Sequence, residues 1–274
     1  MIGEGDGMQL AGEIEYSDRG VGEPILLIHA GVFADWFVPL ALSPSLDGFQ
    51  VIRIRRAGYS ERTRPNTHLS IGAHAKHCAT LLDTLGIGRS HVVGHSSGAL
   101  IALELAADRP DLVRSLVLFE PAAAGGLVTA EEAEFVGAAL GPVLAAAAAG
   151  DVATAFDGFM RFACAADHRE VLTTALGPDA LEAAQRESDF FFADELAAVL
   201  EWSFVGADAA RVAHPIAIVH GRGEAPSIHE VAATRLASWL PNAEIMAVDG
   251  ADHMLPLRDP ETLGRLVAGF AKSV

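Results

Sequence analysis

Positive charge is scarce in this sequence. Nineteen Lys and Arg residues stand against 36 Asp and Glu, a formal net charge of −17. Nucleic-acid backbones and anionic membrane surfaces repel such a chain, so neither is expected as a partner. Cysteine is rarer still. Cys78 and Cys164 lie in apolar patterns and read as free thiols rather than a disulfide, and no Cys/His spacing suits a zinc site. Long apolar runs are missing too. The stretch "GPVLAAAAAGD" comes closest, but it is shorter than the ~18 residues of a membrane span and carries Pro142. The N-terminal "MIGEGDGMQL" has neither the basic nor the apolar segment of a secretory signal, which makes a cytoplasmic location the expectation. There are no internal repeats.

What is present is enough apolar material for a core. Hydrophobic residues make up 51% of the 274 positions and charged residues only 20%, which fits one large α/β domain or two small ones. Strands are read at 8–17 ("MQLAGEIEYS"), 25–29, 49–55, 91–94, 115–120, 216–221 and 243–248. Helices are read after the capping Ser70, with Ile71, Ala75, Cys78, Leu82 and Leu85 at a 3.6-residue period, and at 97–108, 228–239 and 260–272. This alternation implies a parallel sheet covered on both faces. It breaks at Pro121. Residues 121–210 carry no convincing strand but many Phe residues, and they read as a helical insertion into a core built from 1–120 and 211–274.

Between strand and helix stands "VVGHSSGAL" (92–100). Gly94-His95-Ser96-Ser97-Gly98 fits G-x-S-x-G, a strained turn that exposes a nucleophilic hydroxyl, here Ser96. The N–H of Ser97, at the start of a helix, can stabilise an anion, while its side chain reads as structural.

The chain resembles the α/β-hydrolase superfamily over essentially its whole length. "LLIHAGVFADWF" (26–37) resembles the His-Gly-x loop, "RIRRAGYSER" (53–62) the D-x-R-G-x-G-x-S loop with departures at Arg55 and Ala57, and "VDGADHMLPLRDPE" (248–261) the segment around a catalytic His. The resemblance implies a mostly parallel eight-stranded twisted sheet with a helical cap over the site. It also implies a second oxyanion donor, the N–H of Gly31, with Val32 as the fallback, and a structural role for His29. Among eleven histidines, only His253 follows the last strand and ends the order Ser, acid, His. His74 and His77 read as a solvated helix face, and His68, His91, His168, His214 and His229 as bystanders.

Two carboxylates compete to orient His253. Glu224, in "HGRGEAPS", stands where the superfamily usually has its acid. Glu120 ends the sixth strand, where a carboxylate without a partner would be costly. Glu120 is favoured and Glu224 is the alternative. Asp249 and Asp252 adjoin His253 too closely to face its ring, and a salt bridge to Arg114 is the bland role for Glu120. The paired serines followed by Gly-Ala, with a strand-end Glu, resemble the zearalenone-type lactone hydrolases. The implied reaction is hydrolysis of an apolar ester or lactone through an acyl-enzyme, without metal or organic cofactor. Val32, Phe33, Trp36, Phe191 and Trp202 are expected to line the pocket. C–C bond hydrolases and small-molecule receptors of the same fold are the other readings. A homodimer is compatible with the sequence.

Overall fold

The computed structural model describes residues 8–223 and 227–274. Eight strands form one sheet: β1 (Gln9–Ala11), β2 (Ile14–Arg19), β3 (Glu23–Ile28), β4 (Phe49–Arg55), β5 (Ser90–His95), β6 (Val113–Phe119), β7 (Ile216–Arg222) and β8 (Ala243–Asp249). Their spatial order is β1-β2-β4-β3-β5-β6-β7-β8. β1 and β2 are antiparallel to their neighbours, and every other pairing is parallel.

The central strands are apolar on both faces because both faces are covered. Ile25 to Ile28, Val92 and Val93, Leu116 to Phe119, and Ile216 to Val219 are all buried. One layer holds α1 (Ile71–Thr84), α2 (Ser97–Asp108) and α3 (Ile228–Trp239), whose Leu82, Leu103 and Leu236 join a core with Leu26, Val92 and Leu118. The opposite layer is led by the C-terminal helix α4 (Pro260–Ser273), with Leu263 and Val267 against Leu27, Val93 and Val117. Truncating a fully buried leucine such as Leu26 to Ala would cost about 2–5 kcal/mol.

The helix expected after Ser70 is capped as its sequence suggests, with the Ser70 hydroxyl accepting from the Ala73 N–H. Its polar face is not what it seemed. His74 is buried, and neither of its ring nitrogens has a partner among the described residues. Burial and the charge of Arg56 hold it well below the usual histidine range, so it is neutral. His77 pairs with Glu13 at 2.7 Å. The stretch 8–17, read as one strand, is a hairpin: Gly12, at φ +59°, turns the chain between β1 and β2.

From Phe119 to Ile216 the described chain contains helices and no strand. Ala130–Ala148, Val152–Ala163, His168–Leu176, Ala180–Phe190 and Leu196–Glu201 are α-helices, and Phe191–Glu195 is a π-helical turn joining the last two. Among the described residues no helix is long and apolar enough to cross a membrane. Both cysteines are free, Cys78 being buried and Cys164 half-buried.

Candidate active site

The sheet gathers four loops at the C-terminal ends of its strands, where open α/β sheets place their ligands. After β5 the chain turns sharply into α2. Ser96 sits at that turn with φ +55° and ψ −119°, a strained conformation for a residue with a side chain. Packing enforces it. A Cβ on Gly94 would lie 2.4 Å from the Gly98 carbonyl oxygen, and one on Gly98 would lie 2.3 Å from the Ile28 carbonyl oxygen. The Ser96 N–H donates to Phe119 O (3.0 Å), and Ser96 O accepts from Ala99 N (3.0 Å) and Ala122 N (3.3 Å).

Glu120 lies one residue beyond β6 rather than within it, at φ +42°. Its N–H donates to Val219 O at 2.8 Å. Its carboxylate is buried and fully engaged: Oε1 accepts from the Gly221 N–H (2.8 Å) and Oε2 meets His253 Nδ1 (2.8 Å). Burial pushes this carboxyl up, but the His253 hydrogen bond, the charges of His229 and His253 and the Gly221 N–H outweigh it and hold the group at about 2. An ionised carboxylate only accepts, so His253 Nδ1 is the donor, and in the neutral form of the ring the lone pair is on Nε2. Arg114, the bland partner for Glu120, pairs with Glu23 at 3.1 Å instead. Glu224 lies outside the described residues.

His253, in the loop after β8, is packed by two further histidines. The His229 ring stacks on it with centroids 4.0 Å apart and planes 11° apart, and the His95 ring leans on it at 4.4 Å. His229, a bystander by sequence, lies at the N-terminal end of α3 and lines the cavity. Burial, then repulsion from His253, brings it down to about 4. His95 is also buried and neutral, and neither of its nitrogens has a partner among the described residues. Donor atoms of Glu120, His229 and His253 lie within 4.8 Å of one another. They do not fit a cation, because two rings stacked face to face cannot aim their in-plane lone pairs at one point, and Glu120 is already spent on His253 and Gly221.

The loop after β3 forms the opposite wall. Val32 has φ +75°, an unusual conformation for a β-branched residue. Gly31 O accepts from Trp36 Nε1 (2.9 Å) and Phe33 N (3.0 Å). The N–H groups of Gly31, Val32 and Ser97 have no partner among the described residues. His29 joins this loop to the next, with Nδ1 at 2.6 Å from Ala30 O and Nε2 accepting from the Arg56 N–H at 3.1 Å.

A cavity with about 710 Å³ of empty space, its mouth included, is lined by Gly31, Val32, Trp36, Ser96, Ser97, His229 and His253 from the sheet side. The helices between β6 and β7 supply Val136, Leu140, Phe159, Phe162, Phe191, Leu196, Val199 and Leu200. No described lining residue is Lys or Arg. Two expected lining residues are elsewhere. Phe33 stacks behind Trp36 with centroids 4.3 Å apart. Trp202 packs on Phe204 in the core and donates to Glu104 at 2.8 Å. Phe159 and Phe162 take their place. They lie on the apolar face of an amphipathic helix, a pattern that predicts burial but not which cavity is served.

Known proteins share this fold. A solved structure of an N-acyl homoserine lactone degrading enzyme superposes with a TM-score of 0.73 at 25% identity, covering 97% of this chain and 98% of the other. The enol-lactonase of Burkholderia xenovorans gives a TM-score of 0.78 at 17% identity over 97% and 99% of the two chains, a likeness of fold. In sequence, 2-hydroxymuconate semialdehyde hydrolase of Pseudomonas putida is 27% identical over 92% of this chain and 88% of its own length. Other matches are partial: the chain spans 31% of the acetyltransferase component of the Cupriavidus necator acetoin cleaving system, at 33% identity. The model of the alpha/beta hydrolase fold matches residues 23–260, and the chain belongs to that family.

Proposed function

We propose that the protein is a serine hydrolase that cleaves a neutral, apolar carboxylic ester or lactone through a Ser96–His253–Glu120 triad. The observation that carries this reading is the 2.8 Å contact of His253 Nδ1 with a buried Glu120, beside a strained Ser96 on the same cavity. His253 Nε2 takes the Ser96 proton as Oγ bonds the carbonyl carbon. The displaced electron pair settles on the carbonyl oxygen, facing the N–H groups of Ser97 and Gly31, with Val32 N–H the alternative second donor. The pair returns, the C–O bond breaks, and the alcohol leaves with the proton from His253. Water then gives a proton to His253, attacks the acyl-Ser96, and frees the acid and the serine. In a lactone, alcohol and acid remain one molecule.

The cap residues Phe159, Phe162, Phe191, Leu140 and Val199 favour an apolar substrate large enough to fill the cavity. Together with the elbow's likeness to zearalenone-type enzymes, this adds macrocyclic lactones to the candidates. Likeness to 2-hydroxymuconate semialdehyde hydrolase supports a second reading, carbon–carbon bond hydrolysis. The absence of a cation among the described lining residues weighs against an anionic dienoate. The test is a panel of acyl esters, small and macrocyclic lactones and a dienoate, run with wild type and Ser96→Ala. Ester or lactone turnover abolished in the variant supports the proposal. Turnover confined to the dienoate supports the second reading, and activity unchanged in Ser96→Ala removes both.

A further inference from the structure

Beneath the two walls of the cavity lies a polar cluster that the triad does not use. Glu195, the last residue of the π-helical turn in the insertion, is completely buried, as is Arg56 in the loop after β4. The two form an ion pair at 2.9 Å. Glu195 Oε1 also accepts from Ser97 Oγ at 2.7 Å, and Glu195 Oε2 accepts from the Tyr59 hydroxyl. The Arg56 guanidinium stands over the Tyr59 ring, and its Nη2 donates to Ala30 O at 2.9 Å.

These contacts end on the carbonyl of the peptide that carries the Gly31 N–H and on the side chain of Ser97, the two proposed oxyanion donors. The Ala30–Gly31 peptide is trans, so its C=O and N–H point in opposite directions. Arg56 and His29 hold the carbonyl, which sets the direction of the N–H of Gly31, a residue that lines the cavity. A cation on the carbonyl also polarises that N–H. Ser97, the second donor, is tied through its hydroxyl to the same carboxylate. Phe191, one helical turn before Glu195, presses on Gly31 so closely that a Cβ there would lie 2.6 Å from its ring.

We propose that Glu195 is a positioning residue, supplied by the cap, that fixes both oxyanion donors through Arg56 and the Ser97 hydroxyl. The inference rests on the serine-hydrolase reading. A closed cap thereby assembles the oxyanion site, and the loss of this one carboxylate slackens both donors.

The test measures phosphonylation of Ser96 by a small fluorophosphonate, followed by intact mass, together with kcat and KM on the best ester of the panel. The probe is too small to need the cap walls, so its rate reads the oxyanion site. Glu195→Gln is expected to react about tenfold more slowly and to lose kcat about equally, with KM within twofold of wild type. Ser97→Ala removes one hydroxyl and leaves the Arg56–Glu195 pair whole; it is expected to slow about threefold. Should Glu195→Gln fail to fold, Ser97→Ala decides alone. Folded variants that react at the wild-type rate, even with lowered melting temperatures, would overturn the inference and make Glu195 a structural latch. A wild-type protein that the probe leaves unlabelled overturns the serine-hydrolase reading itself, and the inference with it.

Discussion

His229 lies flat against His253, with ring centroids 4.0 Å apart and planes 11° apart. Burial and His253 keep His229 uncharged down to about pH 4, so across the working range it is a neutral, flat wall against the base. Its nitrogens meet Pro121 O (3.4 Å) and Ala163 O (3.3 Å), and it is the ring face that meets His253. His229→Ala should lower kcat by about tenfold by freeing the His253 ring, whereas His229→Phe, which keeps a flat ring, should stay within about threefold of wild type. Steady-state kinetics of the two variants checks this; equal losses would assign the role to the nitrogens.

Glu120 holds its charge down to about pH 2 and fixes the His253 tautomer. Glu120→Gln can place an amide N–H against Nδ1 and select the wrong tautomer, with an expected loss in kcat of about 10³–10⁴. Glu224→Gln is expected to retain wild-type kcat. The same assay on both variants compares them directly, and the reverse order would move the acid to Glu224.

Stability should fall as acid is added, starting below pH 6.5. His29, His74, His95 and His229 all have folded-state values below the ordinary one, chiefly through burial. Between 6.5 and those lower values the unfolded chain binds more protons, so stability is full above 6.5 and each histidine removes up to ~1.4 kcal/mol per pH unit below it. Glu120 adds a second window. Its value is lowered to about 2 from 4.5, so its contribution is present above pH 4.5 and is lost as pH falls toward 2. Urea midpoints from pH 8 to pH 4 measure the first window; a flat profile would show these histidines to be solvated.

The elbow should tolerate no added methyl. A Cβ at Gly98 meets Ile28 O at 2.3 Å and His29 O at 2.6 Å, both backbone atoms at the C-terminal end of β3. Gly98→Ala is expected to destabilise by about 3 kcal/mol or more. Gly137→Ala, on the helix Ala130–Ala148 with open space at its Cβ position, should be neutral or slightly stabilising. Thermal melts of the pair check the contrast.

Much of this architecture was legible because it is local. The apolar strand "HVVG", the small residues around Ser96 and the 3.6-residue period after Ser70 each carry their structural cause in adjacent positions. The hairpin at Gly12 was missed because apolar alternation continues across it. His74 was misplaced because α1 buries more of its surface than its apolar stripe suggests. His229, Arg56 and Glu195 escaped for a different reason. Each acts through a partner distant in sequence, and nothing near Glu195 in "FFADELAAVL" points to Arg56. The exchange of Phe33 and Trp202 for Phe159 and Phe162 has the same origin: an aromatic pattern announces burial but not which of several cores receives the ring.

Catalysis by Ser96, His253 and Glu120 would pass through a covalent acyl-Ser96 intermediate. Acid quenching during turnover of the slowest ester or lactone substrate, followed by intact-protein and peptide mass spectrometry, tests it most directly. The expected result is a mass increase equal to the acyl group, on the peptide that carries Ser96, and none in Ser96→Ala. Sustained turnover with no adduct, and with Ser96→Ala as active as wild type, would contradict it.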